Sequence, residues 1–334
     1  MPESSPLCLT LGDPAGCGPS ITMEAWRRLK TEEGVVFYVR AAPELFQAIP
    51  VAMIERPSDA PDTFQTALPV IPLSTPLGSV KPGYPSPDHA RATLESIECG
   101  VADILKGHAK GLVTNPISKA ILNKAGFRHP GHTEYLAALS STDDCTPTPI
   151  MMLVGGGLRV ALATVHSSLR EAIGEITMHR LETVAQIVHG AMISDFGLEA
   201  PRLAFTGLNP HAGEGGMLGT EEMEIINPAA ESLRTSGINI TDARPADTVF
   251  SEALAGHFDA VIAMTHDQGL IPVKTLDLWG GVNTTLGLPI IRTSPDHGTA
   301  YEATKLGGAR PDSLIAAIHL ASDLANARTR HQYG

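Results

Sequence analysis

Three histidines follow chain segments that have the composition of buried β-strands. The pairs are residues 158–165 before His166, residues 202–206 before His211 with a short loop between, and residues 260–264 before His266. Ligands of open α/β sheets bind outside the carboxyl ends of the strands. A lone histidine at such an end is usually an ordinary hydrogen-bonding residue, but three together favour a catalytic metal site with positions left open for substrate.

Two carboxylates lie near these histidines in the sequence. Asp247 stands in the segment Pro-Ala-Asp-Thr at 245–248, and Asp267 directly follows His266. Either side chain could orient a metal ligand or exchange protons with a substrate. A helix cap or a turn is the alternative interpretation of both residues.

A second group of residues is suited to an anionic ligand. Lys274 and Arg292 supply positive charge, with Asn283 between them in the sequence. Arginine binds phosphate or carboxylate through two parallel contacts, whereas lysine acts as a point charge. His132 and Thr133 add donors at a predicted helix start, where backbone amides favour anions. An isolated cation is most often a solvated surface residue.

Two glycine-rich segments, at 12–19 and 211–216, match neither GxGxxG nor GxxxxGK[ST]. They therefore support neither a Rossmann nor a Walker assignment. The first segment comes after a predicted strand and before a predicted helix. It could bring backbone close to a ligand, or it could be only a tight strand-to-helix turn.

The elements that must position these residues alternate between strands and helices, which is typical of an α/β fold with a mostly parallel sheet. Further strands are predicted at 7–11, 35–40, 111–114, 150–154 and 289–292, and helices at 88–106, 177–196, 221–235 and 311–327. Residues 150–165 read as a β-hairpin around three glycines, an element that often extends a sheet edge. Residues 50–87, rich in proline, serine and threonine, are expected to be a surface excursion with little regular structure.

Composition limits the classes of function. A length of 334 residues suggests about two domains, and a net charge of −12 argues against nucleic acid or an anionic membrane as a general partner. No basic leader and no run of roughly 18 apolar residues is present. The four cysteines, at 8, 17, 99 and 145, form no CxxC pair. We expect a cytoplasmic protein without disulfides.

Long motifs in a fixed order then identify a resemblance that spans nearly the whole chain. They are GDPAGCGP at 12, TNPISKA at 114, GHTEYLA at 131, LRVALATVH at 158, LNPHAGEGG at 208, PADT at 245, HDQGLIPVK at 266 and GVNTTLGLPIIRTSPDHGTA at 281. With these motifs the chain resembles the 4-hydroxythreonine-4-phosphate dehydrogenase family. The resemblance implies a homodimer of two-domain subunits, similar in fold to isocitrate and isopropylmalate dehydrogenases, with a cleft between the domains and an active site completed across the dimer. The expected domains are 1–135 with 280–334, and 136–279.

The resemblance also implies roles for individual residues. His166, His211 and His266 would bind one divalent ion, such as zinc, cobalt or magnesium, with ligands shared between subunits. The residues that would hold a small phosphorylated substrate are His132, Thr133, Lys274, Asn283 and Arg292. Asp247 and Asp267 would handle protons, and the turn formed by His297, Gly298, Thr299 and Ala300 would contact NAD or NADP.

The implied reaction is oxidation of 4-phosphooxy-L-threonine by NAD or NADP, followed by decarboxylation to 3-amino-2-oxopropyl phosphate. One alternative within the family is oxidation of 4-phospho-D-threonate or D-erythronate in sugar-acid catabolism. An alternative of another class is an acyl-phosphate acyltransferase, which would need neither the metal nor the nicotinamide. Residues 303–307, Ala-Thr-Lys-Leu-Gly, depart from the family's usual Ile-Ala-Gly-Lys-Gly run, which leaves the preference between NAD and NADP open.

Overall fold

The computed structural model describes residues 5–129, 131–142 and 146–333. The chain divides into two compact units, Met1–Pro149 with Leu288–Thr329, and Ile150–Gly287 with Arg330–Gly334. The sequence placed the boundaries at 135/136 and 279/280, and both boundaries of the structure lie later in the chain. Each unit has its own set of strands and its own hydrophobic core.

Six parallel strands form the sheet of the first unit. They are β1 (Leu7–Thr10), β2 (Phe37–Arg40), β3 (Val51–Met53), β4 (Leu68–Ile71), β5 (Leu112–Val113) and β11 (Arg292–Pro295). The strand order is β3-β4-β2-β1-β5-β11, and each recorded pair is parallel. Most residues of β1, β2, β4 and β5 are apolar and buried, because helices cover a parallel sheet on its faces. β11 is also buried, but its residues are mostly polar.

The helices of the first unit are α1 (Gly18–Leu29), α2 (Ala60–Thr63), α3 (Ala90–Leu105), α4 (Lys119–Lys124), α5 (His132–Leu139), α11 (Tyr301–Lys305) and α12 (Asp312–Tyr333). The predicted apolar stripe of the last helix is confirmed, because Leu314, Ile318, Ala321 and Ala325 are all buried. Helix α3 likewise buries Ile97, Val101 and Ile104 against the sheet core.

The expectation of an irregular excursion at residues 50–87 holds for residues 72–86, which form no helix or strand, but was wrong for the part before them. This stretch contributes β3 and β4, and every residue of β4 is buried. Pro69 obscures the strand pattern in the sequence, yet β2 pairs only with Val70 and Ile71 of that strand. The proline is tolerated because it precedes the ladder with β2 and removes no bond from it.

The sheet of the second unit is mixed. Its strands are β6 (Ile150–Gly155), β7 (Leu158–Leu162), β8 (Leu203–Phe205), β9 (Ala260–Ala263) and β10 (Val282–Leu286), in the order β10-β6-β7-β9-β8. β6 is antiparallel to both β10 and β7, whereas β7, β9 and β8 are mutually parallel neighbours. The predicted hairpin is confirmed, but it lies inside the sheet and not at its edge. The strand predicted at 289–292 was misplaced, since β10 ends before it and β11 begins at its last residue.

The helices of this unit are α6 (Leu169–Glu175), α7 (Met178–Ser194), α8 (Asn227–Thr235), α9 (Val249–Leu254) and α10 (His266–Leu276). The predicted helix at 221–235 is a π-helical turn at Glu222–Ile226 followed by α8. Pro228 lies in the first turn of α8, where its missing N–H removes no helical bond. No helix in the described ranges has the length and apolar character that a membrane crossing requires. Cys8, Cys17 and Cys99 are free thiols, and Cys145 lies outside the described residues.

Glu95 of α3 is a buried carboxylate whose contacts predict acid sensitivity. Burial alone would raise its pKa, but hydrogen bonds from Thr75 and Ser74 outweigh burial and lower the pKa to about 2. Its oxygens accept bonds from the amides of both residues and from the Ser74 hydroxyl at 2.7–2.9 Å. Because the folded pKa lies below the ordinary value of 4.5, this stabilisation is present above pH 4.5 and is lost as the pH falls toward 2.

We therefore expect Glu95→Gln to lower the free energy of unfolding by about 1–3 kcal/mol at neutral pH. Urea titrations of the variant and the wild type at several pH values measure the difference. The difference should shrink between pH 4.5 and 2. A difference that is constant over that range would show that the charge of Glu95 does not stabilise the fold.

Candidate functional site

Two of the three histidines predicted as metal ligands meet at one edge of the second sheet. β7 and β9 are parallel neighbours, so their carboxyl ends lie side by side. His166 follows β7 by a few residues, and His266 begins the helix after β9. The centres of the two imidazole rings lie 5.8 Å apart, with the ring planes tilted by 43°.

A pocket of about 270 Å³ opens at these two rings. Its lining is Thr164, Val165, His166, Ser167, Leu169, Ala172, Thr265, His266 and Asp267. A larger cavity of about 390 Å³ in the first unit is lined by Ser5, Pro6, Arg56, Pro57, Ser58, Pro61, Gly107 and His108. None of these is a predicted site residue, so the smaller pocket is the candidate site.

Asp267 orients the ring of His266. The Nδ1 atom of His266 lies 2.8 Å from Oδ1 of Asp267. When Nδ1 carries the proton and donates it to this carboxylate, the lone pair on Nε2 is available for a metal ion. The ring is further placed by the start of α10, where Thr265 and Gln268 form a capping box. Asp267 itself is largely exposed, so its role is to hold the histidine and not to fill a core position.

His211 lies in an unusual turn after β8. Residues 211–215 all have left-handed backbone conformations, and His211, Ala212 and Glu214 adopt them without being glycine. Each such non-glycine residue costs roughly 1–2 kcal/mol relative to a right-handed conformation. The glycines at 213 and 215 reduce the total cost of this turn, and His211 is presented on the surface of the unit.

A divalent ion bound by two histidines sets the distance between their rings. Two imidazoles that share an ion through metal–nitrogen bonds of about 2.0–2.1 Å have ring centres roughly 5–6 Å apart, and His166 and His266 meet this condition. Within residues 5–129, 131–142 and 146–333, no three histidine, cysteine, aspartate or glutamate side chains are grouped closely enough to hold a metal. The two histidines thus fit part of a metal site, and the participation of His211 stays a prediction.

A separate cluster in the first unit combines a buried arginine with a threonine and a histidine. Arg292, the first residue of β11, is almost fully buried. Its guanidinium donates to Oγ1 of Thr114 from Nε at 3.1 Å and from a terminal nitrogen at 2.7 Å. The same terminal nitrogen lies 3.4 Å from Nδ1 of His132. Thr114 follows β5, the parallel neighbour of β11, and this contact was not anticipated from the sequence.

Electrostatics define which atoms of this cluster can bind a ligand. Burial lowers the pKa of Arg292 to about 10, so the guanidinium is charged at neutral pH. Burial and the charge of Arg292 hold the pKa of His132 well below 6.5, so its ring is neutral. Because Nδ1 faces a donor, the ring proton belongs on Nε2, which is buried and has no hydrogen-bond partner among the described residues. His132 therefore offers one unsatisfied donor beside a buried cation.

The other predicted substrate-binding residues, and Asp247, lie on separate elements of the fold. Thr133 stands in the first turn of α5 beside His132, which confirms the predicted helix start. Lys274 is half-buried in the last turn of α10. Asn283 lies on β10, and its buried Oδ1 has no hydrogen-bond partner in the described part of the chain. Asp247 is exposed in the turn before α9.

The predicted cofactor turn at residues 297–300 packs against the first glycine-rich segment. The Thr299 carbonyl accepts a bond from the amide of Cys17 at 2.8 Å, and a Cβ on Gly16 would lie 2.9 Å from that carbonyl oxygen. Tyr301 then donates from its hydroxyl to Asp13 at 2.6 Å. The glycine-rich segment is thus a tight turn that packs against a second loop.

The turn itself has features of a binding loop. Ala300 adopts a left-handed conformation with φ of 48°. His297 bonds through Nδ1 to the Gly298 carbonyl, while its buried Nε2 finds no partner within the described ranges. The Asp13–Tyr301 bond could not be found from sequence, because the two residues are 288 positions apart.

Comparisons with known proteins agree with the motifs. Residues 33–321 match the family model described as pyridoxal phosphate biosynthetic protein PdxA. The chain is 48% identical to a 4-hydroxythreonine-4-phosphate dehydrogenase of Methylorubrum populi, over 97% of this chain and 95% of that protein. It is 47% identical to the protein of the same name from Caulobacter vibrioides, over 97% and 99% of the two chains.

Solved structures are also similar to this chain. The crystal structure of 4-hydroxythreonine-4-phosphate dehydrogenase from Klebsiella pneumoniae superposes with a TM-score of 0.85 at 36% identity, covering 96% of this chain and 100% of that chain. A terephthalate 1,2-cis-dihydrodiol dehydrogenase from Burkholderia xenovorans has a TM-score of 0.66 at 24% identity, over 96% and 98% of the two chains. The second likeness concerns the fold alone.

Proposed function

Because the chain belongs to the family of pyridoxal phosphate biosynthetic protein PdxA, we propose that it oxidises 4-phosphooxy-L-threonine with NAD or NADP. The oxidised product loses its carboxylate to give 3-amino-2-oxopropyl phosphate. The observation that carries this proposal is the pairing of His166 and His266 at a pocket, in a chain whose relatives are named for this dehydrogenase. We place the reaction in the cytoplasm, where the free thiols are stable.

One divalent ion would be held by His166 and His266, with His211 as the third ligand supplied within or between subunits. Such an ion supplies Lewis-acid chemistry, which makes a hydroxyl more acidic and stabilises negative charge on oxygen during decarboxylation. Imidazole ligands suit zinc and cobalt better than magnesium, which prefers oxygen ligands. Asp267 would leave Nε2 of His266 available to hold the ion by accepting a hydrogen bond from Nδ1–H.

The substrate phosphate or carboxylate binds at the cluster of Arg292 and His132. The buried guanidinium provides the charge, and Thr114 fixes its plane through two contacts. The unsatisfied Nε2 donor of His132 completes the anion contacts. Thr133, Lys274 and Asn283 are further substrate-binding residues in this proposal, and Asp247 is the exposed carboxylate that exchanges protons with solvent.

NAD or NADP binds at the turn formed by His297, Gly298, Thr299 and Ala300. Nε2 of His297 is the polar atom that needs a partner there. The Asp13–Tyr301 and Cys17–Thr299 bonds keep the turn in one conformation before the cofactor arrives. A preorganised loop binds with a smaller loss of conformational entropy.

An exposed apolar segment supports a homodimer. Ile271, Leu276, Leu278 and Trp279, in the second half of α10 and the loop after it, are at least half exposed. Leu276 packs beside the turn of the β6–β7 hairpin. A Cβ added to Gly156 in that turn would lie 2.5 Å from the Cβ of Leu276. Exposed apolar segments of this kind usually mark protein interfaces.

We expect Leu278→Asp to weaken self-association by at least tenfold, because an apolar contact is replaced by a charge that must be desolvated. Sedimentation velocity over a range of protein concentrations measures the change. Leu306→Asp is the matched control, since Leu306 is also strongly exposed but directly follows α11 in the first unit. A dimer that is equally stable in the Leu278 variant would place the interface elsewhere.

Reduction of the nicotinamide, followed by its absorbance, tests the function directly. The purified protein is given 4-phosphooxy-L-threonine or 4-phospho-D-threonate, each with NAD or NADP, with and without a metal chelator. Chelator-sensitive reduction with 4-phosphooxy-L-threonine is the expected result. Preference for the threonate would move the enzyme to sugar-acid catabolism, and no reduction with either substrate would refute the dehydrogenase and favour an acyltransferase.

A further inference from the structure

We infer that Glu222 is a positioning residue that sets the metal-binding geometry of His211. It does so by holding the left-handed turn at residues 211–215 in place. This inference rests on the proposed function, because it concerns one of the three proposed ligands. Glu222 itself contacts neither substrate nor metal in this assignment.

Glu222 is buried, with 2% of its surface exposed, and its carboxylate binds the segment that leads into the turn. Oε1 accepts bonds from the backbone amides of Leu208 and Asn209, both at 2.8 Å. Oε2 accepts a bond from the side-chain amide of Asn209 at 3.0 Å. Burying a carboxylate at this depth is costly unless hydrogen bonds such as these satisfy its oxygens.

The same carboxylate also contacts the turn itself. A Cβ on Gly213 would lie 2.6 Å from Oε2 of Glu222, and a Cβ on Gly207 would lie 3.2 Å from Oε1. A side chain at Gly213 would therefore clash with this carboxylate, whereas one at Gly207 would clash first with the backbone of Ala212, whose Cα would lie 2.8 Å from the added Cβ. Gly213 also has a φ of +77°, which favours glycine for a second reason.

The strained backbone of the turn and the hydrogen bonds of Glu222 thus lie next to each other in the chain. His211, Ala212 and Glu214 are held in a conformation that isolated residues avoid. Such a conformation persists only where surrounding contacts determine it. From a π-helical turn, Glu222 makes three hydrogen bonds to Leu208 and Asn209, which lead directly into the left-handed residues. Without the carboxylate, the turn can relax toward right-handed conformations, which would point the imidazole of His211 in another direction.

Zinc affinity of the metal-free protein tests this inference. Glu222→Gln keeps the size of the side chain, but its NH2 group faces the side-chain amide donor of Asn209 in place of an acceptor. We expect at least tenfold weaker Zn²⁺ binding in competition with a chromophoric chelator. The visible absorption of the Co²⁺-loaded variant should also change, because it reports the number and arrangement of the ligands. Glu224→Gln, an exposed residue of the same turn, is the matched control and should leave both measurements unchanged.

A rescue variant separates positioning from general destabilisation. Ala212→Gly removes the cost of a left-handed non-glycine residue, so adding it to Glu222→Gln should restore a large part of the Zn²⁺ affinity. Gly213→Ala should weaken Zn²⁺ binding although Glu222 is intact, and it serves in place of Glu222→Gln if that variant does not fold. Restored folding stability without restored affinity in the double variant would contradict the inference.

His211→Ala, His166→Ala and His266→Ala give the reference values. Wild-type Zn²⁺ affinity in Glu222→Gln, together with weak binding in His211→Ala, would overturn the role of Glu222 and leave the metal site standing. Wild-type affinity in His211→Ala would overturn both the inference and the assignment of His211 as a ligand. Unchanged binding in His166→Ala and His266→Ala would remove the metal site itself.

Discussion

We expect His266→Ala to lower kcat by about a thousandfold or more and to lower the zinc content of the purified enzyme. The variant removes one of the two imidazoles whose rings lie 5.8 Å apart, and it leaves Asp267 without the Nδ1 contact. Lewis-acid stabilisation of an oxygen anion contributes several kcal/mol to a transition state, and about 1.4 kcal/mol corresponds to each tenfold change in rate. Metal analysis and steady-state kinetics on the same preparation measure both effects.

Two further variants make this result specific. Asp267→Asn keeps the ligand but weakens its orientation, so metal affinity should fall by about 10–100-fold. His257→Ala is the control, because His257 is an exposed histidine of the same unit that packs beside Phe258. Full zinc content and turnover in His266→Ala would show that the paired histidines bind no catalytic ion.

Arg292→Lys should raise KM for the phosphorylated substrate by about a hundredfold while kcat changes much less. The substitution keeps the positive charge but loses the planar fork, which contacts Thr114 through two nitrogens. Loss of one partner from a buried, charged hydrogen-bonded pair costs about 2–5 kcal/mol, which is the size of this change. The lysine ammonium must also be buried, because the site of Arg292 excludes solvent.

Two further variants show whether a change in KM is specific to Arg292. Arg310→Lys changes an exposed residue that pairs with Asp312, and it should leave KM unchanged. Thr114→Ala should raise KM less than Arg292→Lys does, because the guanidinium keeps its charge and its neighbour His132. Equal KM values for the wild type and Arg292→Lys would mean that the anion binds elsewhere.

The elements that position the site were predictable where the local pattern was strong. The apolar stripe of α12 and the β6–β7 hairpin agree with the structure because helix periodicity and the glycine-rich turn are local properties of the chain. β3 and β4 were missed because Pro69 and the surrounding prolines resemble loop composition. Burial against β2 overrides that composition.

The residue types available for the chemistry, and the position of three histidines after strands, could be predicted from the sequence alone. The end of a strand can be predicted because it depends on the local sequence. The parallel pairing of β7 with β9 then brings His166 and His266 together. The motifs also determined the family, because their order and length are specific.

Which atoms remain available for a ligand depends on contacts between segments that are distant in the sequence. Thr114 reaches Arg292 across 178 residues, and Asp13 reaches Tyr301 across 288. The contact of Glu222 with the segment before His211 is also a tertiary contact. A π-helical turn brings the carboxylate of Glu222 to the backbone amides that follow β8. Hydrogen bonds and burial between distant segments have no periodic signature in a chain, so these positioning contacts become visible only when the fold is known.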